Sequence, residues 1–287
     1  AGGRGGAAGT QRGSDGREWS VRARPAGLAR ARRAAYLDWV ACNCERVYEL
    51  SGGAVGYVHM SDMEETGFED LCRGLLSEAG RNGLVVDLRG NVGGAVSDLA
   101  LQRLAAPRLG CGLPPRGAAE PWPAHAAPTQ LVVLVDETTA SDAELVAHAL
   151  AAPPDALAAG AAPAVPRAQV VGVRTWGGAF AMDVTELADG TTISHPADRL
   201  HTAAGGWAIE NKGVQPHLEV EAPPHLPVGG RAGAVGWDVQ LNAAARVAVE
   251  MVARASEVSA AWAVSEARRD APIERPAPHW SMEESRG

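Results

Sequence analysis

The chain has 287 residues, of which 46% are hydrophobic and 21% charged, as is typical of a soluble globular protein with one large or two small domains. Its formal net charge of −8 disfavours nucleic acid and anionic membranes as partners, since either would require a basic surface. The sequence contains no apolar run of about 18 residues, so we predict no transmembrane helix and no membrane partner.

The four cysteines are too irregularly spaced for a CxxC pair or a zinc-ligand pattern with histidine; they are Cys42, Cys44, Cys72 and Cys111. We therefore predict reduced thiols in a cytoplasmic protein that holds no metal and no cofactor. The chain starts at Ala1 and has no apolar segment typical of a signal peptide, which we interpret as a processed or incomplete N-terminus.

Composition divides the chain into three parts. Residues 1–24 are rich in glycine, arginine and serine, and we predict a flexible tail there. A single domain is expected over residues 25–255, with an alanine- and proline-rich inserted loop over 151–168. The polar, proline-containing residues 256–287 are predicted to form a second flexible tail.

Hydrophobic periodicity predicts the elements of the domain in chain order. Helices are expected over Leu28–Leu50, Gly67–Glu78, Val96–Leu104, Ser141–Leu150 and Trp237–Val252. Strands are expected over Ala54–Met60, Gly83–Leu88, Gln130–Val135, Val170–Val173, Met182–Glu186 and Leu218–Val220. Two successive strand–turn–helix units predict an α/β fold of layered βαβ type, with turns at the carboxyl ends of its strands.

The turns after the two most apolar strands carry residues suited to acyl transfer, which needs a nucleophile, backbone donors for the oxyanion, and a base. Ser141 falls where a strand gives way to a helix, and the N–H of Asp142 should point out of the helix N-terminus. Gly93 and Gly94 let a second backbone N–H approach the same point. An N-cap serine and an ordinary tight turn remain the alternative interpretations.

Five sequence blocks extend the pattern, in the order Gly56–Met63, Val86–Gly94, Ala140–Glu144, Arg174–Gly178 and Ile209–Pro216. Through this set the chain resembles, from about residue 36 to 252, the C-terminal catalytic portion of tricorn-type proteases within the tail-specific (carboxyl-terminal processing) serine peptidases, family S41. The resemblance implies a layered ClpP/crotonase-like βαβ spiral and a serine-type endopeptidase. Its substrates would be unfolded proteins or short peptides, and a homo-oligomer is allowed because tricorn-type relatives form large ring-like assemblies.

The resemblance also assigns roles to individual residues. Ser141 matches the nucleophile of the family, and the amides of Gly94 and Asp142 match its oxyanion hole. Glu210 matches the glutamate that orients the catalytic histidine, although a surface carboxylate would be preferred without the family match. The substrate cleft is expected to include Gly93, Gly112, Trp176 and Gly177, with packing as the favoured alternative for Trp176.

The chain departs from the family pattern at two points. By ungapped count, Gly112 stands where the family has the aspartate that binds a basic substrate side chain, so a preference for Lys or Arg is not expected. The general base of the family is a histidine in an upstream subdomain, and no histidine precedes His59. His148 follows Ser141 by two helical turns, about 10 Å along the axis, and is predicted to be out of reach.

Three hypotheses follow. The leading one is an acyl-enzyme serine peptidase in which the histidine base lies outside this chain, although His195, His201, His217 and His225 stay open. The second is a non-catalytic peptide-binding relative, or a truncated fragment that lacks its general base. The third is a crotonase-like acyl-CoA enzyme, because that related fold also uses paired backbone amides at glycine turns.

Overall fold

The computed structural model describes residues 7–12, 18–23, 27–106, 109–112, 120–123, 126–128, 130–151, 168–198, 209–223 and 238–258. The helices are α1 (Leu28–Ser51), α2 (Glu65–Ser77), α3 (Ser97–Leu104), α4 (Asp142–Ala151) and α5 (Val239–Val258). The strands are β1 (Ala7–Arg12), β2 (Glu18–Ala23), β3 (Val55–His59), β4 (Gly83–Asp87), β5 (Gly110–Gly112), β6 (Glu120–Trp122), β7 (Gln130–Val135), β8 (Ala168–Gly172), β9 (Ala181–Glu186), β10 (Thr192–Asp198) and β11 (Leu218–Glu219).

A five-stranded sheet in the order β11–β8–β7–β4–β3 forms the centre of the fold, and all of its neighbouring strands are parallel. The five strands of this sheet lie side by side in their chain order, so each crossover adds the next strand of the sheet on the same side. The predicted α/β fold class, a βαβ spiral, is confirmed.

Side chains of the central strands alternate between two apolar cores. In β4, Leu84 and Val86 contact the core that includes α2, α3 and α4, whereas Val85 contacts the core that includes α1 and α5. All five residues of β4 are buried, which explains its uninterrupted apolar sequence. Burial of each such valine or leucine stabilises the folded state by about 1.5–3 kcal/mol. The well-packed sheet is therefore a firm base for the turns at its carboxyl ends.

Three antiparallel pairs lie outside the central sheet. β1 and β2 pair within residues 1–24, so the flexible tail predicted there is wrong for those two strands. Polar and apolar residues alternate over Glu18–Arg22, as is typical of a strand. β5 pairs with β6 and β9 with β10, and of these strands only β9 was predicted.

Two predicted regions fall largely outside the described residues. These are the inserted loop over 151–168, apart from its ends, and the tail over 256–287, apart from the last turn of α5. Among the helices that the structure describes, none combines the length and the apolar character needed to cross a bilayer.

Candidate active site

The candidate site lies at the carboxyl ends of three neighbouring strands. The turn after β4 carries Gly93 and Gly94, the turn after β7 leads into Ser141, and residues 175–178 follow β8. Ligands of open α/β sheets bind at this end of parallel strands, where loops from adjacent strands converge. The order of the sheet therefore brings together residues that are distant in the sequence.

Ser141 directly precedes α4 and has a left-handed backbone, with a φ of 53°. This conformation is uncommon for a residue with a side chain and persists only where the surroundings enforce it. Its N–H donates to the carbonyl oxygen of Gly178 (3.0 Å) and to Oε2 of Glu144 (3.1 Å). Its carbonyl oxygen accepts from the N–H groups of Glu144 and Leu145. The backbone of Ser141 is thus held from both sides.

The side chain of Ser141 does not cap the helix. In an N-cap, Oγ would accept an N–H from the first turn. Here the N–H of Ala143 donates to the carbonyl oxygen of Ala140 (3.2 Å), and that of Glu144 donates to the carbonyl oxygen of Ser141 (2.8 Å). Only the glutamate half of the capping box forms. No described residue hydrogen-bonds to Oγ of Ser141, so this hydroxyl is left for another role.

Two backbone N–H groups beside Ser141, those of Gly94 and Asp142, have no acceptor among the described residues. In a planar trans peptide, an N–H and the preceding C=O point in opposite directions. The C=O of Ser141 points into α4, so the N–H of Asp142 points out of the helix N-terminus. The carbonyl oxygen of Gly93 accepts from the N–H of Met63 (3.0 Å), so the N–H of Gly94 points away from Met63.

Gly93 lies directly against Ser141. Its φ of 100° is in the left-handed region, and a Cβ built on it would be 2.5 Å from Cβ and 3.1 Å from Oγ of Ser141. A Cβ on Gly94 would collide with the carbonyl oxygen of Met63. Only glycines at both positions allow the turn after β4 to approach the serine this closely.

Glu144 holds the segment after β8 against Ser141. Its side chain is fully buried, and it accepts from the N–H groups of Ser141 (3.1 Å), Gly177 (2.8 Å) and Gly178 (2.9 Å) and from the hydroxyl of Thr175. Sequence reasoning missed this role. The capping-box pattern Ser-x-x-Glu was the available signal, but only for the bond from Ser141 to Glu144 and not for the three bonds to the distant segment.

Asn91 fixes the glycine turn from the other side. It is fully buried, and its Oδ1 accepts from the N–H of Gly93 (3.0 Å) while its Nδ2 donates to the carbonyl oxygen of Met60 (3.0 Å). Its backbone carbonyl oxygen accepts from the N–H of Ala140 (3.0 Å), the residue before Ser141. The side chain and the backbone of Asn91 thus join the segment after β3, the turn at Gly93 and the turn that leads into Ser141.

Two carboxylates join the turns further. Oδ2 of Asp142 accepts from the N–H of Ser97 (3.1 Å) at the start of α3, so the two helices that begin at the site are linked. Asp136, at the end of β7, accepts from the N–H of Gly90 (3.2 Å) in the turn after β4. The separation between the two turns is therefore fixed by direct hydrogen bonds.

Glu210 lies at the same edge of the sheet. Its Oε2 accepts from the N–H of Ala179 (2.8 Å), which follows the Gly178 that binds the N–H of Ser141. The N–H of Asn211 donates to the carbonyl oxygen of Gly177 (2.8 Å). These bonds bring Glu210 next to the segment that contacts Ser141, although 69 residues separate the two in numbering.

Comparison with known proteins adds to this geometry. The model of peptidase family S41 matches residues 54–220, which include every residue of the site described above. The chain belongs to peptidase family S41.

Among its relatives in this family, the chain is 33% identical over 218 residues to the Tricorn protease of Thermoplasma volcanium, covering 76% of this chain and 19% of that protein. It is 37% identical over 215 residues to Tricorn protease homolog 1 of Streptomyces coelicolor, covering 75% of this chain and 18% of that protein. It is 33% identical over 218 residues to the Putative Tricorn-like protease C-terminal subunit of Sulfurisphaera tokodaii, covering 76% and 23%.

The crystal structure of the tricorn protease matches with a TM-score of 0.68 and 28% sequence identity, covering 86% of this chain and 22% of that chain. The predicted resemblance to tricorn-type proteases and the predicted fold are thereby confirmed. The chain spans only about a fifth of the length of these relatives.

In this member of family S41, the residues expected in the substrate cleft differ in their surroundings. Trp176 is 64% exposed, so its favoured packing role does not hold within the described part of the chain. Gly177 has a φ of 92° and bonds to Glu144, which makes it a structural link. Gly112 ends β5 in a separate two-stranded sheet, and its role in the cleft stays a prediction.

The resemblance seen in the sequence predicts a histidine base that lies outside this chain. Among the described histidines, His59, His148, His195 and His217, none hydrogen-bonds to Ser141. Nε2 of His59 donates to the carbonyl oxygen of Arg89 (3.1 Å), and its Nδ1 accepts from the hydroxyl of Tyr36 (2.8 Å). The other four histidines, His125, His201, His225 and His279, lie outside the described residues.

A buried ion-pair network supports the end of β4 in this S41 domain. Arg89 donates to both carboxylate oxygens of Asp87 (2.7–3.2 Å) and to both of Asp238 (2.9 and 3.0 Å), just before α5. Burial alone would raise the pKa of Asp87, but the Arg89 guanidinium holds it below its ordinary value. Within the described residues, no cluster of three acidic, histidine or cysteine side chains is placed to hold a metal ion.

Proposed function

We propose that this chain carries the nucleophile and the oxyanion hole of a serine-type endopeptidase, with Ser141 as the nucleophile. The observation that carries the proposal is the hydroxyl of Ser141, which does not cap the helix and lies on a left-handed backbone at a helix N-terminus. Beside it are two N–H groups that have no acceptor among the described residues. Strained backbone that is held by its surroundings concentrates at catalytic residues. Membership of a peptidase family supports the same reaction.

The reaction is acyl transfer in two steps. Oγ of Ser141 attacks the carbonyl carbon of the scissile peptide and loses its proton to a base, and the carbonyl oxygen becomes an oxyanion. The N–H groups of Gly94 and Asp142 bind this oxyanion, and the positive end of the α4 dipole adds to their effect. The base returns the proton to the leaving amine, and water then hydrolyses the ester on Ser141 by the reverse proton path.

We further propose that the base is a histidine supplied from outside this chain and that Glu210 orients it. None of the four described histidines bonds to Ser141, and the chain covers about a fifth of the length of its tricorn relatives. Glu210 uses Oε2 for Ala179, and Oε1 has no hydrogen-bond partner among the described residues, so it is left for an imidazole N–H. Without such a base, the isolated chain should hydrolyse peptides poorly or not at all.

Short peptides and unfolded proteins are the proposed substrates, without a preference for cleavage after Lys or Arg, because Gly112 offers no carboxylate. A homo-oligomer and a cytoplasmic location belong to the same proposal. The location is supported by the four cysteines, none of which forms a disulfide. Membership of a peptidase family favours this function over the non-catalytic alternative and over an acyl-CoA enzyme.

Covalent labelling tests the proposal. The intact natural polypeptide that contains this chain, treated with a fluorophosphonate, should carry the label on Ser141, and Ser141→Ala should abolish it. Ser61→Ala is the matched control, because Ser61 lies at the same edge of the sheet and its hydroxyl is bound by Asp62. Folded protein that takes up no label, or that is still labelled after Ser141→Ala, would contradict the nucleophile.

A further inference from the structure

The backbone of Gly94 presents two unpaired groups to the same side. The N–H of Ala95 donates to the carbonyl oxygen of Met63 (2.8 Å). Since the C=O and N–H of one planar peptide point in opposite directions, the C=O of Gly94 points away from Met63, as its N–H does. Among the described residues, none donates to this carbonyl oxygen and none accepts from this N–H. One edge of the Val92–Gly94 segment is therefore open.

The order of the sheet identifies which side is open. β4 lies between β3 and β7, so the continuations of β3 and β7 flank the continuation of β4 on opposite sides. Met63 belongs to the continuation of β3 and Ser141 to that of β7. Both unpaired groups of Gly94 consequently face the side on which Ser141 lies.

An exposed strand edge with a free N–H and a free C=O is a template for an added strand. Gly94 itself is exposed to solvent, and the neighbouring Val92 has a 65% exposed side chain, so no part of the described chain covers this edge. The partner that fits is an extended peptide main chain, because it supplies one acceptor and one donor at the spacing of a β-ladder.

We propose that the substrate adds to Gly94 as an antiparallel strand, and this rests on the function proposed above. The residue that supplies the scissile carbonyl, here called the acyl residue, makes both bonds. Its carbonyl oxygen accepts from the N–H of Gly94, as the oxyanion hole requires, and its own N–H donates to the carbonyl oxygen of Gly94. In an antiparallel ladder, one residue exchanges both bonds with its partner.

The antiparallel direction is preferred because of what leaves during the reaction. In a parallel ladder, the two bonds go to residues two positions apart, so the carbonyl oxygen of Gly94 would bind an N–H of the leaving fragment. That bond would be lost as soon as the amine departs. The antiparallel pair stays with the acyl group, so the ester on Ser141 keeps its orientation while water attacks it.

This mode of binding defines the substrate class. The acyl residue must have a free N–H and an extended backbone, and such groups are already paired in a folded strand or helix. The enzyme should therefore act on unfolded segments with little dependence on sequence at this position. A proline as the acyl residue should be refused, because it has no N–H.

Peptide boronic acids that differ by one methyl group test the inference on the intact natural polypeptide. Boron accepts an electron pair from Oγ of Ser141, whose proton passes to base or solvent, and a tetrahedral adduct forms. Methylating the N–H of the acyl residue should weaken binding at least about tenfold, since one hydrogen bond is lost. Methylating the N–H of the preceding residue should change binding less than about threefold, because alternate residues point away from the edge.

The outcomes separate this inference from the proposed function. If the parent compound forms an adduct with Ser141 and both methylated compounds bind equally well, strand addition at Gly94 is wrong and the nucleophile stands. If the parent compound forms no adduct, or forms one that survives Ser141→Ala, the proposed function itself fails. Replacing the same N–H by an ester oxygen should weaken binding as the methyl group does, which excludes a purely steric effect.

Discussion

Two buried carboxylates support the site from opposite faces of the sheet, and they are bound in different ways. Asp87, at the end of β4, pairs with the Arg89 guanidinium, which also binds Asp238 before α5. Glu144, in α4, forms no salt bridge with any described residue and instead accepts four hydrogen bonds from neutral donors. Both carboxylates are fully buried.

These two ways of binding a carboxylate predict different roles: the ion pair stabilises the fold, and Glu144 aligns the segments of the site. The Asp87–Arg89–Asp238 network joins elements distant in the sequence, and removing one charge leaves another buried without a partner. The donors to Glu144 are three backbone N–H groups and one hydroxyl, all within the segments that form the site. We therefore expect changes at the ion pair to act mainly on folding, and changes at Glu144 to act mainly on the reactivity of Ser141.

Arg89→Met should produce the largest effect on stability. Asp87 would remain buried without its counter-charge, so the free energy of unfolding should fall by about 3–5 kcal/mol, measured by urea denaturation. Arg73→Met is the matched control, because the Arg73 side chain is exposed where it pairs with Glu69 and Asp70, and exposed pairs contribute about 0–1 kcal/mol. A loss of less than about 1 kcal/mol in Arg89→Met would contradict the assigned role.

The pH dependence sharpens this test. The folded pKa of Asp87 lies below its ordinary value of 3.8, so its contribution is present above that pH and is lost as the pH falls through the lowered folded pKa. In Arg89→Met, burial dominates and the pKa of Asp87 rises, so the carboxyl becomes neutral at higher pH. The difference in unfolding free energy between native protein and variant should therefore shrink as the pH falls from about 7 towards 3.

Glu144→Gln should act on Ser141 more than on folding. The amide NH2 group would face backbone N–H donors, so the Thr175–Gly178 segment would move. A displacement of about 1 Å costs about 10²-fold in rate, and labelling of Ser141 should slow accordingly, while the unfolding free energy falls by about 1–3 kcal/mol.

The control for this variant is Glu78→Gln. Glu78 is also buried, but it lies against Gly56 near the start of β3 and accepts from Tyr48 and Arg81, at the other end of the strand from the site. The Glu78→Gln variant should have a lower free energy of unfolding, while the labelling rate of Ser141 stays unchanged. Equal labelling rates in Glu144→Gln and the native protein would remove the distinction between the two carboxylates.

How much of this could be predicted from the sequence depends on the range of each interaction. The central strands and the helices that flank them were predicted to within about two residues, apart from α5, which continues to Val258 beyond its predicted end at Val252. Burial on both faces imposes a continuous apolar run, as in β4. Proximity of Gly94 to Ser141 also follows, since neighbouring parallel strands end at the same edge. These relations depend on local pattern and on sheet order alone.

The interactions that hold the site could not be predicted in the same way. The bond from Arg89 to Asp238 joins residues 149 positions apart, and nothing in either local sequence specifies its partner. The bonds from Thr175 and Gly178 to Glu144 likewise depend on where the chain returns after β8. Such contacts are set by packing and not by periodicity, so a single sequence carries no signal for them.

Gly93→Ala should have a smaller effect, confined to the glycine turn. Its φ of 100° disfavours a side chain, and the new Cβ would be 2.5 Å from Cβ of Ser141. Gly90→Ala is the matched control, with a φ of 74° and open space around a new Cβ. Gly90→Ala should lose about 1 kcal/mol of stability, and Gly93→Ala somewhat more because its new Cβ also clashes. Only Gly93→Ala should slow labelling of Ser141, by about tenfold or more.

His148→Gln should have the smallest effect, and it tests whether the site is independent of the far end of α4. Burial lowers the pKa of His148 below its ordinary value of 6.5. Its neutral form therefore supports folding above that pH, and this support is lost as the pH falls through the lowered folded pKa. The variant cannot be protonated there, so its stability should fall less steeply on acidification below about pH 6.5. Labelling of Ser141 should stay within about twofold of the native rate; a larger loss would mean that His148 serves the nucleophile after all.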